Sequence, residues 1–334
     1  MTELIKKLAL LDGTSGDEGA VRDFIISEIS PYCKYRVDPL GNVIAEKKGK
    51  TATGKKIMLD AHMDEVGLII SSVTAEGFLR FEVLGGINAS ALMLRRVRIA
   101  GSVNGVISGK PIHLCIGEEE KKLPEKDSFY IDIGARSKEE AESAVKVGDR
   151  AVCVSDFTEC GDTILSKALD DRIGCAILIK LIKEYDEYDF TAVFSVQEEI
   201  GMRGAKVAAY GVNPDAAIII ETTTAADVAG VPDDKTVCRL GGGAVVSFMD
   251  RASVYDREYY LAALESGIAV QPKRAVAGGN NSGAVHLSRE GVRTIAVSVP
   301  CRYIHSSGSV AGKRDIASAF ELCKYMIGYI ANDK

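Results

Sequence analysis

Apolar residues recur along the chain with two periods, and the period changes with position. Near the N-terminus, "SGDEGAVRDFIISEI" sets Val21, Phe24, Ile25 and Ile29 on one helical face, with Ser15 and Glu18 at capping-box spacing. The next apolar run, Ile57 to Leu59 in "KKIMLDAHMDEVG", ends in a polar cluster, which predicts an interior strand with an exposed working end. From about Val66 to Asp162 the texture becomes short β-rich runs, "GLIISSV", "FLRFEVL", "RRVRIAG" and "SFYIDIG", punctuated by Gly and Asn. One helix interrupts them, opened by a second capping-box pair, Ser137 and Glu140.

Alternation then returns: helix "DDRIGCAILIKLIKEY", strand "FTAVFSV", helix "RGAKVAAYG", strand "DAAIIIE", helix "NSGAVHLSREG" and strand "RTIAVSV". A last helix carries Ile316, Phe320, Cys323 and Ile327 on one stripe. Strands alternating with helices predict an α/β fold with a mixed, mostly parallel sheet and helices on both faces. The larger domain is thus discontinuous, residues 1–65 and 163–334, and a small β-rich domain, residues 66–162, is inserted into it.

Composition narrows the class. A chain of 334 residues exceeds the size at which one core usually stops growing, and 46% hydrophobic with 26% charged residues suits a folded soluble protein. Forty-one basic against 47 acidic residues leave a net charge of −6 without a long basic run, which argues against nucleic acid and anionic membranes as partners. Glu3, Lys6 and Lys7 interrupt what would have to be a signal core, so a cytoplasmic location is expected. The eight cysteines are scattered without C-x-x-C spacing, which predicts free thiols rather than a zinc–thiolate site or a disulfide framework.

The chemistry lies where apolar strands end. Leu59 is followed by His62 and Asp64, Val196 by Glu198 and Glu199 in "SVQEEIG", Ile220 by Glu221, and Val299 by His305. In open α/β sheets such ends gather on one edge, and "ALDDRIG" adds Asp170 and Asp171 just before a helix, whose N-terminal dipole tolerates negative charge. So many carboxylates at one edge repel one another unless cations sit between them. If Asp170, Glu199 and Glu221 hold two dications, three negative charges face four positive ones, and the surplus suits a bridging hydroxide. Metal pairs about 3.5–4 Å apart acidify water and polarise a carbonyl, so hydrolysis is the implied reaction.

In this order, "AHMDEVG", "ALDDR", "QEEIGMRGA", "IIIETTTAADV" and "CRYIHS" resemble the tetrahedral, self-compartmentalising aminopeptidases of the glutamyl/deblocking type, over essentially the whole chain. The resemblance implies a dinuclear zinc exopeptidase-like α/β domain with a small inserted β-barrel. It implies that His62 and Glu221 hold one divalent metal ion, Glu199 and His305 the other, and that Asp170 bridges them. Glu198 is then the general base, Asp64 orients the His62 ring, and the Asp170–Asp171 peptide is cis. Residue 221 is aspartate in some members and glutamate in others, so zinc, cobalt and manganese all stay open. The implied substrates are short peptides, and the implied assembly is a homo-oligomer in which the inserted domain forms dimers and six dimers build a hollow dodecamer.

Other signals carry less. A lone His-x-Asp or Glu-Glu is more often a wet turn at a strand end. His113 and His286, each among apolar neighbours, read as structural, Asp60 as a cap on its strand end, and Gly241 to Ala244 as a backbone turn without the Lys and Ser/Thr of a P-loop. "GEEEKKLPEKD" reads as a solvated loop. Two other enzyme classes are weighed against the peptidase: a metal-dependent acylase or deacetylase, and an endoglucanase-like glycosidase, for which no Trp and 6% aromatic residues leave little sugar-stacking surface.

Overall fold

Four strands form the parallel centre of the large sheet: Phe190–Ser195, Ile57–His62, Ala216–Thr224 and Arg293–Arg302, adjacent in that order. The computed structural model describes residues 1–117 and 126–333, so most of the charge run "GEEEKKLPEKD" lies outside the described residues. Every residue of Ile57–His62 is buried, because a central parallel strand is covered on both faces.

The alternation of side chains sorts the two layers. Ile57, Leu59, Ile218 and Ile295 face Ile173, Ile177 and Leu181 of the helix Leu169–Glu184, together with Ile316 and Phe320 of Lys313–Asn332. Met58, Val193, Ala217 and Ile219 point the other way, onto Ala205, Ala208 and Ala209 of Arg203–Val212. Small alanines let that helix lie close to the sheet. Antiparallel strands extend both sides: Val43–Lys47 and Lys34–Val37 on one, Ser309–Gly312, Thr163–Ser166 and Thr158–Cys160 on the other.

Six further strands, Gly67–Val73, Leu79–Leu84, Tyr130–Asp132, Val103–Ser108, Arg96–Ile99 and Arg150–Cys153, close into a barrel. Its core is Leu68, Ile70, Leu79, Val97, Ile107 and Ile131. The helix Lys138–Ala144 starts on Ser137, whose hydroxyl accepts the Glu140 amide at 3.2 Å, as its capping pair predicts. No helix among the described residues is long and apolar enough to cross a membrane.

Local expectations fail where long-range partners outbid them. Ser15 does not cap Gly19–Ile29, which begins at Glu18 without a side-chain cap; both side chains bond elsewhere. The predicted helix at "NSGAVHLSREG" shrinks to Ser282–Val285, and His286 follows it with Nδ1 2.6 Å from the Ser282 carbonyl. Asp60 is not at a strand end: it is buried inside Ile57–His62, where Asn281 and Ser195 donate to its Oδ2 at 2.6 and 3.3 Å. The glycine turn holds an anion of its own chain, since Gly241 and Gly243 amides each donate to Asp315 at 2.8 Å. His113 is exposed in the short 3-10 turn Ile112–Leu114.

Candidate active site

Register brings the ligand-type residues to one level. Ser195 pairs with His62, and Ile219 pairs with Asp60, so Glu221, two residues on, comes level with His62. Glu221 lies within its strand rather than after it, because Ala216–Thr224 runs on beside Arg293–Arg302. Glu198 and Glu199 follow Phe190–Ser195, and His305 follows Arg293–Arg302. Asp170 and Asp171 have non-helical backbone angles at the start of Leu169–Glu184, and their shared peptide bond is cis. Ala168, Gln197, Tyr303 and His305 all take positive φ without being glycine. Such residues cost on the order of 1–3 kcal/mol each and collect where side chains must be aimed.

Asp170 stands between two histidines. Its Oδ1 is 3.5 Å from His62 Nε2 and its Oδ2 is 3.4 Å from His305 Nε2. Glu221 Oε1 lies 3.4 Å from His62 Nε2, and Glu199 Oε2 lies 3.3 Å from His305 Nε2. These separations exceed an ordinary N–H···O distance. They match the edge of a tetrahedron whose donors are each about 2.0–2.1 Å from a central ion. Asp170 Oδ1, Asp171 Oδ2 and Glu221 Oε1 are buried without a hydrogen-bond partner, so their lone pairs are available to a ligand. The residues therefore could hold divalent metal.

Both histidines turn Nε2 toward the carboxylates. His62 Nδ1 lies 2.9 Å from the Asp64 carbonyl and 3.4 Å from the Asp64 carboxylate, leaving Nε2 to the site. His305 Nδ1 lies 3.0 Å from the carbonyl of Gly86, which follows a barrel strand, so the barrel orients that ring. Gly85, at φ +90°, lets this segment approach, since a Cβ there would meet Val66 at 2.7 Å and the Glu199 Cβ at 3.2 Å.

Electrostatics follows from crowding. Burial pushes Glu198 up to about 7 and Glu199 up to about 8, with Asp170 adding to both. Burial, helped by Asp171 and Asp170, holds Glu221 well above the carboxylate range. Asp170 goes the opposite way: burial opposes its charge, but His305 and His62 hold it far below that range. Burial would lower His305, yet Asp170 and Glu199 raise it to about 9. Most of the cluster thus binds protons tightly, which is how a negative well suited to cations behaves.

Asp171 was outside the expected ligand set, yet it offers a donor within 4.8 Å of His62 and Glu221 donors, while its Oδ1 accepts the Gly174 amide at 3.0 Å. Ser15 and Glu18 also reach the site, where Ser15 donates to Asp64 at 2.6 Å and Glu18 accepts the Gln197 amide at 3.1 Å. Their spacing in sequence was that of a helix cap, so only the distance between segments could reveal this. Among the described residues the tight donor clusters are His62, Asp171 and Glu221, and His62, Asp170 and Glu199; His305 adjoins the second through Asp170 and Glu199, at 3.4 and 3.3 Å, while His113 and His286 join neither.

Solved aminopeptidase structures share this arrangement of a parallel-centred sheet and a barrel. One from the archaeon Desulfurococcus kamchatkensis superposes with a TM-score of 0.92 at 36% identity, covering 98% of this chain and 94% of its own. The TET1 peptidase of Pyrococcus horikoshii, described as assembling into a tetrahedron or a large octahedral shell, superposes with a TM-score of 0.86 at 34% identity, covering 97% and 98%. A protein of Acetivibrio thermocellus is 40% identical over 96% of this chain and 97% of its own. The chain belongs to the M42 glutamyl aminopeptidase family, whose model matches residues 41–322, and its activity is that of an aminopeptidase, a hydrolase.

Proposed function

We propose that the protein removes the N-terminal residue of short peptides at a site of two divalent cations. His62 and Glu221 would hold one ion and Glu199 and His305 the other, with Asp170 shared between the two sets. The observation that carries this reading is that the two oxygens of Asp170 face different histidines at 3.5 and 3.4 Å. Bound ions of this kind polarise the scissile carbonyl and acidify water, and zinc or cobalt, then manganese, suits such donors.

The chain's own groups do the rest. Glu198 accepts a proton at its carboxylate and returns it to the leaving amine, helped by the burial that pushes it up to about 7. Asp64 acts as a positioning residue behind His62 and the Glu198–Glu199 turn, whose amides donate to it at 2.9 and 3.2 Å. The inserted domain, residues 66–162, pairs two copies, and six pairs enclose a dodecameric chamber that admits only short chains; the likeness to the TET1 peptidase supports this. Eight free cysteines fit a reducing compartment, here the cytoplasm.

The test uses aminoacyl chromogenic substrates after chelation, with each metal restored in turn. Cleavage should require metal and a free α-amine. Turnover of N-acetylated substrates would reassign the site to an acylase, and release of reducing sugar from soluble glucan by metal-free protein would reassign it to a glycosidase.

A further inference from the structure

The turn that carries Glu198 and Glu199 leaves the sheet, so its amides have no strand to donate to. Two of its carbonyls accept from the residues that lead into and open the next helix, Arg203–Val212: Glu198 from Gly201 and Met202 at 2.8 Å each, and Gln197 from Arg203 at 3.2 Å. Its three consecutive amides all go to carboxylates. Gln197 N–H donates to Glu18 Oε1 at 3.1 Å, Glu198 N–H to Asp64 Oδ1 at 2.9 Å, and Glu199 N–H to Asp64 Oδ2 at 3.2 Å.

Both carboxylates are fixed from the N-terminal segment. The Gly16 amide donates to the same Glu18 Oε1 at 2.7 Å, and Ser15 Oγ donates to Asp64 Oδ2 at 2.6 Å. That segment is itself pinned beside the site, since Glu65 N–H donates to the Gly13 carbonyl at 2.9 Å and Thr14 bridges to Glu65. Ser15, Glu18 and Asp64 are all buried, so these bonds do not exchange freely with water. Neither Ser15 nor Glu18 belongs to a donor group of the site.

We infer that Ser15 and Glu18 are positioning residues of the reaction: with Asp64 they clamp the Gln197–Glu199 turn, so that Glu199 meets its ion and Glu198 its proton. Neither touches the reacting atoms. The inference rests on the roles assigned to Glu198 and Glu199 above.

The test compares Glu18→Ala, Glu18→Gln and Ser15→Ala in the full assembled chain, with amide hydrogen exchange of the 195–202 segment read in chelator-treated protein. Affinity for added zinc is read by competition with a chromophoric chelator, alongside kcat and KM. Glu18→Ala should speed exchange in that segment at least about tenfold. It should weaken one of the two zinc sites and lower kcat about 10–100-fold, with KM nearly unchanged, as expected for loss of a group behind a ligand. Glu18→Gln, which keeps an acceptor oxygen, should restore most of each, and Ser15→Ala should move the same segment in the same direction. Unchanged exchange in both Glu18→Ala and Ser15→Ala overturns the clamp, as does a Glu18→Gln protein as impaired as Glu18→Ala. If Glu18→Ala fails to fold, Ser15→Ala and Glu18→Gln decide by the same readings. A Glu198→Gln variant that keeps full turnover would instead overturn the role of the base, while the exchange result still judges the clamp separately.

Discussion

Glu198 and Glu199 are neighbours in the chain with different surroundings. Glu199 Oε2 faces His305 Nε2 at 3.3 Å, whereas Glu198 forms no ion pair with an imidazole among the described residues. Glu198→Gln should therefore keep both cations and lose about 10²–10⁴ in kcat, checked by metal analysis beside steady-state kinetics. A base works deprotonated, so kcat/KM should rise with pH through the pKa of Glu198. Burial sets that value at about 7, and bound cations, which favour the charged form, should bring the acid limb below it. A pH–rate profile of the metal-loaded enzyme whose acid limb has its midpoint above about pH 7 would contradict this. At this scale the sequence was legible in placing polar residues where apolar strands end, as at His62 and Glu199. It was misleading at Asp60, because Asn281 and Ser195, which make its burial tolerable, are remote in the chain.

Strand-end turns decide where these side chains point, and one ion pair anchors two of them. Asp227, just after Ala216–Thr224, accepts from Arg302 Nε and Nη2 at 2.7 and 2.8 Å, where Arg293–Arg302 ends and the His305 turn begins. Burial opposes the charge of Asp227, but Arg302 and the Leu240 amide outweigh it and lower its pKa. A lowered carboxylate stabilises fully above its ordinary 3.8 and loses that contribution as pH falls through the lowered value. Arg302→Gln should thus cost on the order of 1–3 kcal/mol near neutral pH, by leaving the Asp227 carboxylate with the Leu240 amide but without its cation. Urea unfolding should show that cost shrinking once Asp227 is protonated. The periodic pattern located the helix Lys138–Ala144 through its cap but misplaced the role of Ser15 and Glu18. The same Ser-x-x-Glu spacing serves a local cap in one place and a distant turn in the other.

For the whole molecule, cations that bind only the folded chain add stability by mass action, about 2.7 kcal/mol at a hundredfold excess over Kd. Chelation should lower Tm and zinc should restore it, as read by scanning calorimetry. The barrel reaches the site through the Gly86 carbonyl on His305, so the inserted strands serve the centre as well as any assembly. Sedimentation should find a species much larger than the 35.7 kDa chain; monomer alone at micromolar concentration would remove the chambered reading.

What the sequence determined by itself was the order of strands and helices and the polar residues at the strand ends, because side-chain periodicity and apolar runs are local properties. Tertiary structure alone decided which oxygens of Asp170 face which histidine, that the barrel holds His305, and that Ser15 and Glu18 leave their helix for the Gln197–Glu199 turn. Those are contacts between segments far apart in the chain, and their energies depend on distances that no spacing along the sequence encodes.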